Sequence, residues 1–389
     1  MPVSIVIIGG GQGGFQTAAS LRAEGYQERI TLIGDEPGVP YQRPPLSKGY
    51  LLGKQEQRHA ELRPAAFYEA HRIDLVTGRR VTAIDRQARR VTLDSGDQIE
   101  YGTLVLATGA RNRQLPMTGV SYLRTLAEAA ELRQRLREAN DVTIIGGGFI
   151  GLEIAAAART LGKQVTVMES AGRLMARVVA PVVSEYFRAQ HTAQGVEILL
   201  NTTIEGAGRR ADLLIAGIGV VPNLELARDA GLPVANGVTV DANLRTPDER
   251  IYAIGDCAEG PNPFTEGSVR LESVQNAVDQ AVCVAKAIVG HAAPYSAVPW
   301  FWTDQYDIHL QLAGLPHGFD QAVTRGDPES RKFSVFYFRK GELRAVDSIN
   351  RPAEHLTARK LIGARAKLSP DQAADESFDL KSPALTGGA

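Results

Sequence analysis

Two sets of glycines have the spacing of loops that bind the phosphates of a dinucleotide. Gly9, Gly11 and Gly14 form the first set and follow the GxGxxG pattern. In this pattern one glycine permits a tight turn, the second lets a pyrophosphate approach the backbone, and the third lets a helix pack on a strand. Asp35 follows where an acidic side chain would accept hydrogen bonds from a ribose. These residues predict a dinucleotide site.

The same pattern recurs later in the chain. Gly146, Gly148 and Gly151 repeat the glycine spacing, and Glu169 occupies the acidic position. A carboxylate there suits the free ribose hydroxyls of NADH and repels the 2'-phosphate of NADPH. A single GxGxxG motif is weak evidence because glycine-rich turns are common, but each copy here has its acidic residue at the expected distance. Arg173 lies near enough to keep NADPH as an alternative.

A third stretch, PYQRPPLSKGYL at residues 40 to 51, combines two prolines with a cation. Pro44 and Pro45 fix their own backbone angles and favour extended conformations in the residues before them. The stiff loop therefore presents Lys48 in a restricted position. The alternative interpretation of Lys48 is a solvated loop lysine.

Each glycine loop needs a strand before it and a helix after it, and the sequence supplies both. VSIVIIG and DVTIIG are apolar, β-branched runs, and each is followed by a helical segment and a second strand that ends at the acidic residue. LVLATGA and LLIAGIGVVP then repeat as buried strands ending in glycine. Apolar and polar residues alternate between Ile73 and Gly109, which predicts a meander of strands. In the second of the two repeated halves, a tight turn at Gly206 to Arg210 replaces this meander.

The rest of the chain predicts a strand, a helix and a further small domain. Strand IYAIG carries Asp256 into a loop, and a helix with one apolar face is expected to begin near Glu272. From Pro294 onward the pattern predicts an α+β domain that ends in a flexible acidic tail. Residues 321 to 367 contain 11 Lys or Arg and 5 Asp or Glu, a formal charge of +6. This stretch is either a solvated domain face or a docking surface for an acidic partner.

Length and composition limit the classes of function. The chain has 389 residues, too many for one hydrophobic core, so two or three domains are expected. The net charge of -1 gives no general attraction to nucleic acid. Cys257 and Cys283 are the only cysteines and have neither CxxC nor metal-ligand spacing, which argues against thiol or metal chemistry and favours a reducing compartment. No apolar run approaches a membrane span, so we expect a soluble cytoplasmic protein.

Two dinucleotide folds in one chain predict FAD in one and a nicotinamide nucleotide in the other. With its other motifs, the chain resembles the FAD-dependent NADH:ferredoxin reductases, the group of putidaredoxin reductase, biphenyl dioxygenase ferredoxin reductase and rubredoxin reductase. The resemblance rests on GGGQGG, PYQRPPLSKGYL, LVLATGA, YLRTL, GGGFIGLEIAA, IYAIGDCA, RLESVQNAVDQA and PWFWTDQYD. Of these, PPLSK and PWFW are specific, whereas the glycine motifs occur in many flavoproteins. The shortened turn at Gly206 to Arg210 and the tight link LPMTGVSYLRTL depart from the family pattern.

This resemblance implies an α/β, glutathione-reductase-like fold with two dinucleotide-binding domains and a C-terminal α+β domain. Residues 1–113 and 242–295 would form the domain for non-covalent FAD, residues 114–241 the NADH domain, and residues 296–389 the C-terminal domain. The residues expected to contact FAD are Gly9, Gly11, Gly13, Gly14, Asp35, Arg43, Pro44, Lys48, Val81, Ala107, Thr108, Gly109, Arg124, Gly255, Asp256, Val274 and Trp302. The residues expected to contact NADH are Gly146, Gly148, Phe149, Ile150, Gly151, Glu153, Glu169, Gly217, Ile218 and Gly219.

Four residues are expected to act in the hydride transfer. By resemblance, the ammonium of Lys48 lies near flavin N5 and stabilises negative charge on the reduced flavin. Glu153 would face the nicotinamide, or it merely solvates a helix turn. Trp300 and Trp302 would cover the flavin, or they are core residues. The helix that starts near Val274 would direct its N-terminal N–H groups at the flavin.

The expected reaction passes electrons from NADH through FAD to an acidic 2Fe-2S ferredoxin, which supplies a monooxygenase or dioxygenase. The stretch 321 to 367 would help to dock that ferredoxin. Alternatives are a rubredoxin reductase, a disulfide, peroxide or coenzyme A disulfide reductase, and an apoptosis-inducing-factor-like flavoprotein that responds to NADH. A disulfide reductase needs a redox cysteine near the flavin, where this loop has PYQRPPLSK instead. The sequence leaves the particular ferredoxin open, and also the choice between a monomer and a homodimer.

Overall fold

The structure, a computed structural model, describes residues 4–203 and 211–385. Contacts between residues divide the chain into two compact units. Unit 1 consists of Met1–Gln42, Arg58–Arg111 and Val220–Ala297. Unit 2 consists of Arg43–Gln57, Asn112–Gly219 and Val298–Ala389. The predicted turn at Gly206 to Arg210 lies outside the described residues.

The described chain contains runs of consecutive strands, with α-helices between some of them. The strands are β1 (Ile5–Ile8), β2 (Ile30–Gly34), β3 (Ile73–Thr77), β4 (Val81–Asp85), β5 (Arg90–Leu93), β6 (Gln98–Glu100), β7 (Thr103–Leu106), β8 (Ala110–Asn112), β9 (Val120–Ser121), β10 (Asp141–Ile145), β11 (Gln164–Glu169), β12 (Val196–Leu200), β13 (Leu213–Ala216), β14 (Val220–Pro222), β15 (Val238–Thr239), β16 (Ile251–Ala253), β17 (Ala258–Pro261), β18 (Ser268–Val269), β19 (Trp300–Gln305), β20 (Ile308–Gly314), β21 (Gln321–Asp327), β22 (Lys332–Arg339) and β23 (Glu342–Ile349). The helices are α1 (Gln12–Ala23), α2 (Ala65–Ala70), α3 (Leu126–Glu138), α4 (Phe149–Thr160), α5 (Pro181–Ala193), α6 (Glu225–Asp229), α7 (Val274–Ile288), α8 (Pro352–Gly363) and α9 (Pro370–Ala374). Short 3-10 helices cover Pro44–Ser47, Gln57–His59, Gly255–Cys257, Pro328–Ser330 and Pro383–Leu385.

Unit 1 is built on a parallel sheet with the strand order β16-β7-β1-β2-β3. Every residue of β1 and β2 is buried, as expected for strands of a parallel sheet covered on both faces. Helices α1 and α7 pack against each other beside this sheet. The predicted meander is present as the antiparallel strands β4, β5 and β6. The carboxyl ends of β1 and β2 thus place the first glycine loop and Asp35 at one edge.

Unit 2 contains a second parallel sheet and an antiparallel one. The parallel sheet has the order β12-β11-β10-β13-β9. Its strand β10 lies between β11 and β13, as β1 lies between β2 and β7 in unit 1. The antiparallel sheet has the order β19-β20-β23-β22-β21, with α8 packed on β20 and β23. The predicted α/β class, with two dinucleotide-binding sheets and a C-terminal α+β region, is confirmed. The exact limits of the three predicted domains stay a prediction.

Two helices start with the side-chain caps that their sequences provide. In α3, Thr125 Oγ1 accepts from the Glu128 N–H at 3.2 Å and the Glu128 carboxylate accepts from the Thr125 N–H at 2.9 Å, which is a capping box. In α7, Ser273 Oγ accepts from the Asn276 N–H at 3.0 Å. This cap starts the helix at Val274, two residues after the predicted start.

The acidic tail makes contacts with the antiparallel sheet of unit 2. Arg325, on β21, donates hydrogen bonds to the carbonyl oxygens of Glu376 and Phe378 at 3.1 and 3.0 Å. Ser369 caps α9, which packs on the same strand. The flexibility of the tail in solution stays a prediction. In the structure, these contacts hold the tail against the sheet as far as Phe378.

A buried acid in the same sheet makes the stability of the protein depend on pH. Asp347 is completely buried and accepts a hydrogen bond from the hydroxyl of Tyr337, which in turn accepts from the Ala180 N–H at 2.8 Å. Burial raises the pKa of Asp347 from 3.8 to about 8. The folded protein therefore keeps a proton between these pH values that the unfolded chain releases, so this residue reduces stability as the pH rises.

We expect Asp347→Asn to remove this pH dependence. The amide resembles the protonated acid in shape and stays neutral, so the variant should gain stability over the wild type as the pH rises from 5 to 8, by up to about 1.4 kcal/mol per pH unit. Urea unfolding of both proteins at several pH values measures the difference, in which all other titrating groups cancel. Parallel pH profiles for the two proteins would contradict the prediction.

Candidate active site

The glycine loop of unit 1 leaves room for a ligand at one position. Gly9 has a φ of +122°, and a Cβ there would lie 2.1 Å from the carbonyl oxygen of Ala107. A Cβ on Gly14 would lie 1.9 Å from the carbonyl oxygen of Gly9. Gly11, by contrast, meets nothing within 4 Å and stands at the N-terminus of α1 without a side-chain cap. The protein's own backbone thus requires Gly9 and Gly14, while the open space at Gly11 and the uncapped N–H groups fit a pyrophosphate.

The loop of unit 2 repeats this arrangement. Gly146 has a φ of +105°, and its Cβ would lie 2.5 Å from the carbonyl oxygen of Gly217. A Cβ on Gly151 would lie 2.0 Å from the carbonyl oxygen of Gly146, whereas Gly148 has open space and starts α4 without a side-chain cap. Ile150, in the first turn of α4, is 43% exposed, which is high for a large apolar residue. This loop also fits a dinucleotide.

The two acidic residues at the strand ends have different surroundings. Asp35 is exposed and pairs with Arg80 at 3.0 Å. Glu169 accepts from the N–H groups of Gly147 and Ala171, each at 2.8 Å, so the backbone of the second loop holds it in place. Both carboxylates lie where the sequence placed them, at the carboxyl ends of β2 and β11.

Arg173, the residue that kept NADPH as an alternative, is engaged within unit 2. Its guanidinium donates to the carbonyl oxygens of Val179 and Ala176 at 2.7 and 2.6 Å, and to Ser184 Oγ at 2.8 Å. An arginine that already serves these acceptors is poorly placed to bind a 2'-phosphate. The local geometry therefore favours NADH.

Other residues expected at FAD lie in loops of unit 1 that are held by hydrogen bonds. Asn223 links the loop after β7, because its side chain donates to the Thr108 carbonyl oxygen at 2.8 Å and its N–H donates to that of Gly109 at 2.9 Å. Asp256 follows β16, and its carbonyl oxygen accepts from Arg270 at 3.0 Å. Val81 is buried in the hydrophobic core, so its contact with a ligand stays a prediction.

Lys48, which is partly exposed, and Glu153, which is buried, form an ion pair in unit 2. The 3-10 helix at Pro44–Ser47 orients the loop, and the Lys48 ammonium lies 2.8 Å from Glu153 Oε1. The side chains are 22% and 2% exposed. Ser47 Oγ donates to Glu153 Oε2 at 2.5 Å, and Thr303 Oγ1 donates to Oε1 at 2.6 Å. Three donors on two oxygens are the partners that a buried carboxylate anion needs.

This pair corrects two of the alternatives left by the sequence. Lys48 is not a fully solvated loop lysine, and Glu153 does not merely solvate a helix turn, because the two side chains pair with each other. Their pairing with each other was not predicted, nor were the contacts of Ser47 and Thr303. The signals were present: Ser47 directly precedes Lys48, and strand alternation gives Thr303 the opposite face from Trp302.

The tryptophans of β19 lie among aromatic and cationic side chains of unit 2. The ring centroids of Trp300 and Trp302 are 5.6 Å apart, and the Trp300 ring lies 5.4 Å from that of His355. Arg359 stacks over Trp300 at 4.8 Å. Burial, with the charge of Arg359, lowers the pKa of His355 to about 4, so His355 is neutral at pH 7. Trp300 thus has a packing role, and its part in hydride transfer, like that of Trp302, stays a prediction.

Arg43 and Arg124 connect the opening loop to the link before α3. Arg43 donates to the carbonyl oxygen of Arg124, whose N–H donates to Glu128 at 2.7 Å. The predicted FAD contacts of these two arginines stay predictions.

Neither cysteine is suited to redox catalysis. Cys257 is completely buried, and burial raises the pKa of its thiol. Burial also raises the pKa of Cys283, and both thiols are free. Thiolates are the reactive form, so these residues disfavour a disulfide reductase. Within residues 4–203 and 211–385, no helix has both the length and the apolar character needed to cross a membrane.

Comparison with known proteins agrees with this site. Residues 3–281 match the pyridine nucleotide-disulphide oxidoreductase family, and residues 300–384 match the reductase C-terminal family. The chain is 51% identical to rhodocoxin reductase of Rhodococcus erythropolis, over 97% of this chain and 94% of that protein.

Two solved structures are also similar over nearly their full lengths. The ferredoxin reductase for the CYP199A2 system from Rhodopseudomonas palustris has a TM-score of 0.95 and 46% identity, and the alignment covers 98% of this chain and 99% of that one. The covalent putidaredoxin reductase–putidaredoxin complex has a TM-score of 0.96 and 39% identity, with coverage of 100% and 99%.

These findings confirm the predicted family, the fold and the oxidoreductase class. FAD and NADH, the cofactors of this family, are those that the two glycine loops fit. The chain belongs to the pyridine nucleotide-disulphide oxidoreductase family and, within it, to the ferredoxin reductases.

Proposed function

We propose that the protein takes hydride from NADH onto non-covalent FAD and passes electrons singly to a 2Fe-2S ferredoxin, which supplies a monooxygenase or dioxygenase. The observation that carries this proposal is the ion pair between Glu153 on α4 and Lys48, which lies in the loop where a disulfide reductase needs a cysteine. With both thiols unsuited to redox chemistry, electrons have to leave for an external acceptor. Relatives that serve rhodocoxin and putidaredoxin support a ferredoxin as that acceptor.

Unit 1 carries the residues for FAD. The uncapped N–H groups at Gly11 would hold the pyrophosphate. Asp35 would bind a ribose, and its ion pair with Arg80 would then be replaced. Asp256 would bind the ribityl chain. The first turn of α7 would add the positive end of a helix dipole, which would favour negative charge on the flavin.

Unit 2 carries the residues for NADH and for charge stabilisation. The N-terminus of α4 at Gly148 would hold the second pyrophosphate, and Glu169 would bind the ribose. Bound FAD supplies the hydride acceptor and the electron carrier. Lys48 would contribute a fixed positive charge for the reduced form, and Glu153 fixes the direction of that ammonium.

The basic stretch 321 to 367 would help to attract an acidic ferredoxin. Several of its arginines have acidic partners: Arg325 and Arg351 both contact Glu354, at 3.3 and 2.5 Å. Its lysines are exposed, namely Lys332, Lys340, Lys360 and Lys367. These lysines would steer the encounter, so the apparent KM for ferredoxin should rise between low and physiological salt. We also infer a cytoplasmic location, which the free cysteines support.

Anaerobic mixing with NADH tests the proposal. NADH should bleach the absorbance of the oxidised flavin within milliseconds to seconds, NADPH should do so more slowly, and a panel of 2Fe-2S ferredoxins should include an acceptor. No bleaching by NADH would overturn the proposal. Turnover with rubredoxin alone would favour a rubredoxin reductase, and slow reduction without turnover would favour an NADH-responsive regulatory flavoprotein.

The choice of nucleotide should depend on Glu169. Glu169→Gln keeps one oxygen that can accept from one of the two loop N–H groups, but it removes the charge that repels a 2'-phosphate. We therefore expect the ratio of kcat/KM for NADH over NADPH to fall about tenfold. Glu185→Gln changes an exposed carboxylate on α5 of the same unit, so it is the matched control and should leave the ratio unchanged. An unchanged ratio in Glu169→Gln would contradict this assignment.

A further inference from the structure

A chain of buried polar side chains continues from Glu153 into the interior of unit 2. Thr303 donates to Glu153, and Gln305 Nε2 donates to Thr303 Oγ1 at 3.3 Å. His191 Nε2 lies 2.8 Å from Gln305 Oε1, and the Tyr306 hydroxyl lies 3.3 Å from His191 Nδ1. Thr303, Gln305 and His191 are completely buried. Three hydrogen bonds thus connect the carboxylate beside Lys48 to His191 on α5, and a fourth continues to Tyr306.

The chemistry of these groups sets the direction of every bond in the chain. The carbonyl oxygen of Gln305 only accepts, so His191 must carry its proton on Nε2, and its Nδ1 accepts from Tyr306. The Thr303 hydroxyl accepts from Gln305 and therefore donates its proton to the carboxylate. Each member donates towards Glu153.

Such a chain is suited to holding a charge. Aligned hydrogen bonds polarise one another, so the four bonds together favour the negative carboxylate more than the last bond would alone. The amide of Gln305 is a poor proton carrier, which argues against conduction along the chain. Burial lowers the pKa of His191, so the ring stays neutral near pH 7 and the direction of the chain is kept.

We propose that Thr303, Gln305 and His191 are positioning residues that orient Glu153 for its ion pair with Lys48. Through that pair they set how strongly the Lys48 ammonium stabilises the reduced cofactor, so the inference rests on the function proposed above. Thr303 and Gln305 lie on one face of β19, and His191 lies on α5. None of the three needs to touch FAD or NADH.

Removing the donor next to Glu153 tests this role. Thr303→Val keeps the shape of the side chain but loses the hydroxyl, and it should lower the rate constant of flavin reduction by NADH about tenfold, with an unchanged Kd for NADH. Thr303→Ser should restore the rate. Thr143→Val is the matched control, because Thr143 is buried in β10 of unit 2 and its Oγ1 has no hydrogen-bond partner among the described residues.

A second variant tests whether Gln305 acts through Thr303. Gln305→Leu should slow flavin reduction, and the double variant Thr303→Val/Gln305→Leu should be no slower than Thr303→Val alone. Effects that multiply in the double variant would overturn a connected chain.

A readout independent of turnover comes from the tautomer of His191. The ¹⁵N chemical shifts of this ring in the purified protein, assigned with His191→Gln, should identify a neutral imidazole protonated on Nε2 at pH 7. A ring protonated on Nδ1, or on both nitrogens, would overturn the proposed direction of the chain. This measurement stays informative even if Thr303→Val folds poorly.

The two proposals fail in different ways. If NADH does not reduce the flavin of the wild type, the proposed function is wrong. If the wild type is reduced and Thr303→Val behaves like Thr143→Val, the function stands and the positioning role is wrong.

Discussion

Replacing Lys48 with Met should slow the reduction of the flavin by NADH about 100-fold. Met has a similar length but no charge, so it removes the ammonium that lies 2.8 Å from Glu153. The loss of one fixed donor that stabilises developing negative charge typically lowers a rate by about 10²- to 10³-fold. Stopped-flow measurement of the flavin absorbance after mixing with NADH gives the rate constant directly. An unchanged reaction would mean that Lys48 serves the loop alone.

The stability of this variant has to be measured beside its rate. Lys48→Met leaves the carboxylate of Glu153 buried without its ammonium, and breaking a buried pair in this way typically costs about 3–5 kcal/mol. In Lys48→Met/Glu153→Gln both charges are gone, so stability should largely return while the rate stays low. Lys54→Met changes an exposed lysine of the same segment and should affect neither quantity. This comparison separates the effect on chemistry from an effect on folding.

A methyl group at Gly11 should remove FAD from the protein. A Cβ at this position meets no protein atom within 4 Å, so Gly11→Ala should fold normally. The same Cβ would fill the open space at the N-terminus of α1, where the pyrophosphate is expected. We expect the purified variant to contain less than about a tenth of the normal flavin. The ratio of flavin to protein absorbance measures this, and full occupancy would contradict the assigned loop.

Two neighbouring glycines provide the contrast. In Gly13→Ala the nearest atom is Ile254 Cδ1 at 3.3 Å, so the Cβ would pack against the protein rather than enter open space, and this variant should keep its flavin. In Gly14→Ala the Cβ would lie 1.9 Å from a backbone oxygen, so this variant should lose stability itself. Thermal unfolding of the flavin-free proteins should therefore distinguish Gly14→Ala from the other two.

Structural features that depend on residues close together in the sequence could be predicted. The two strand–loop–helix units follow from glycine spacing and apolar runs, and both glycine loops and their acidic residues lie where expected. The start of α7 was missed by two residues because Ser273, rather than Glu272, supplies the cap. Such errors are small because the information is local.

The contacts around Glu153 could not be predicted in the same way. The residues Ser47 and Thr303 lie 106 and 150 positions from it in the chain. Only the packing of α4 against the 3-10 helix and β19 brings them together. One sequence identifies each of these polar residues as a candidate, but it contains no signal for which donor meets which acceptor.

The contact between Thr303 and Glu153 also limits how such enzymes can be recombined. Glu153 lies in the part of the chain that matches the oxidoreductase family, and Thr303 lies in the part that matches the reductase C-terminal family. A chimaera that exchanges the C-terminal segment between relatives would bring a new residue to the Thr303 position. Unless that residue carries a hydrogen-bond donor that reaches Glu153, the carboxylate would lose a donor in the chimaera. The residue at this position is therefore the first one to match when C-terminal segments are exchanged between relatives.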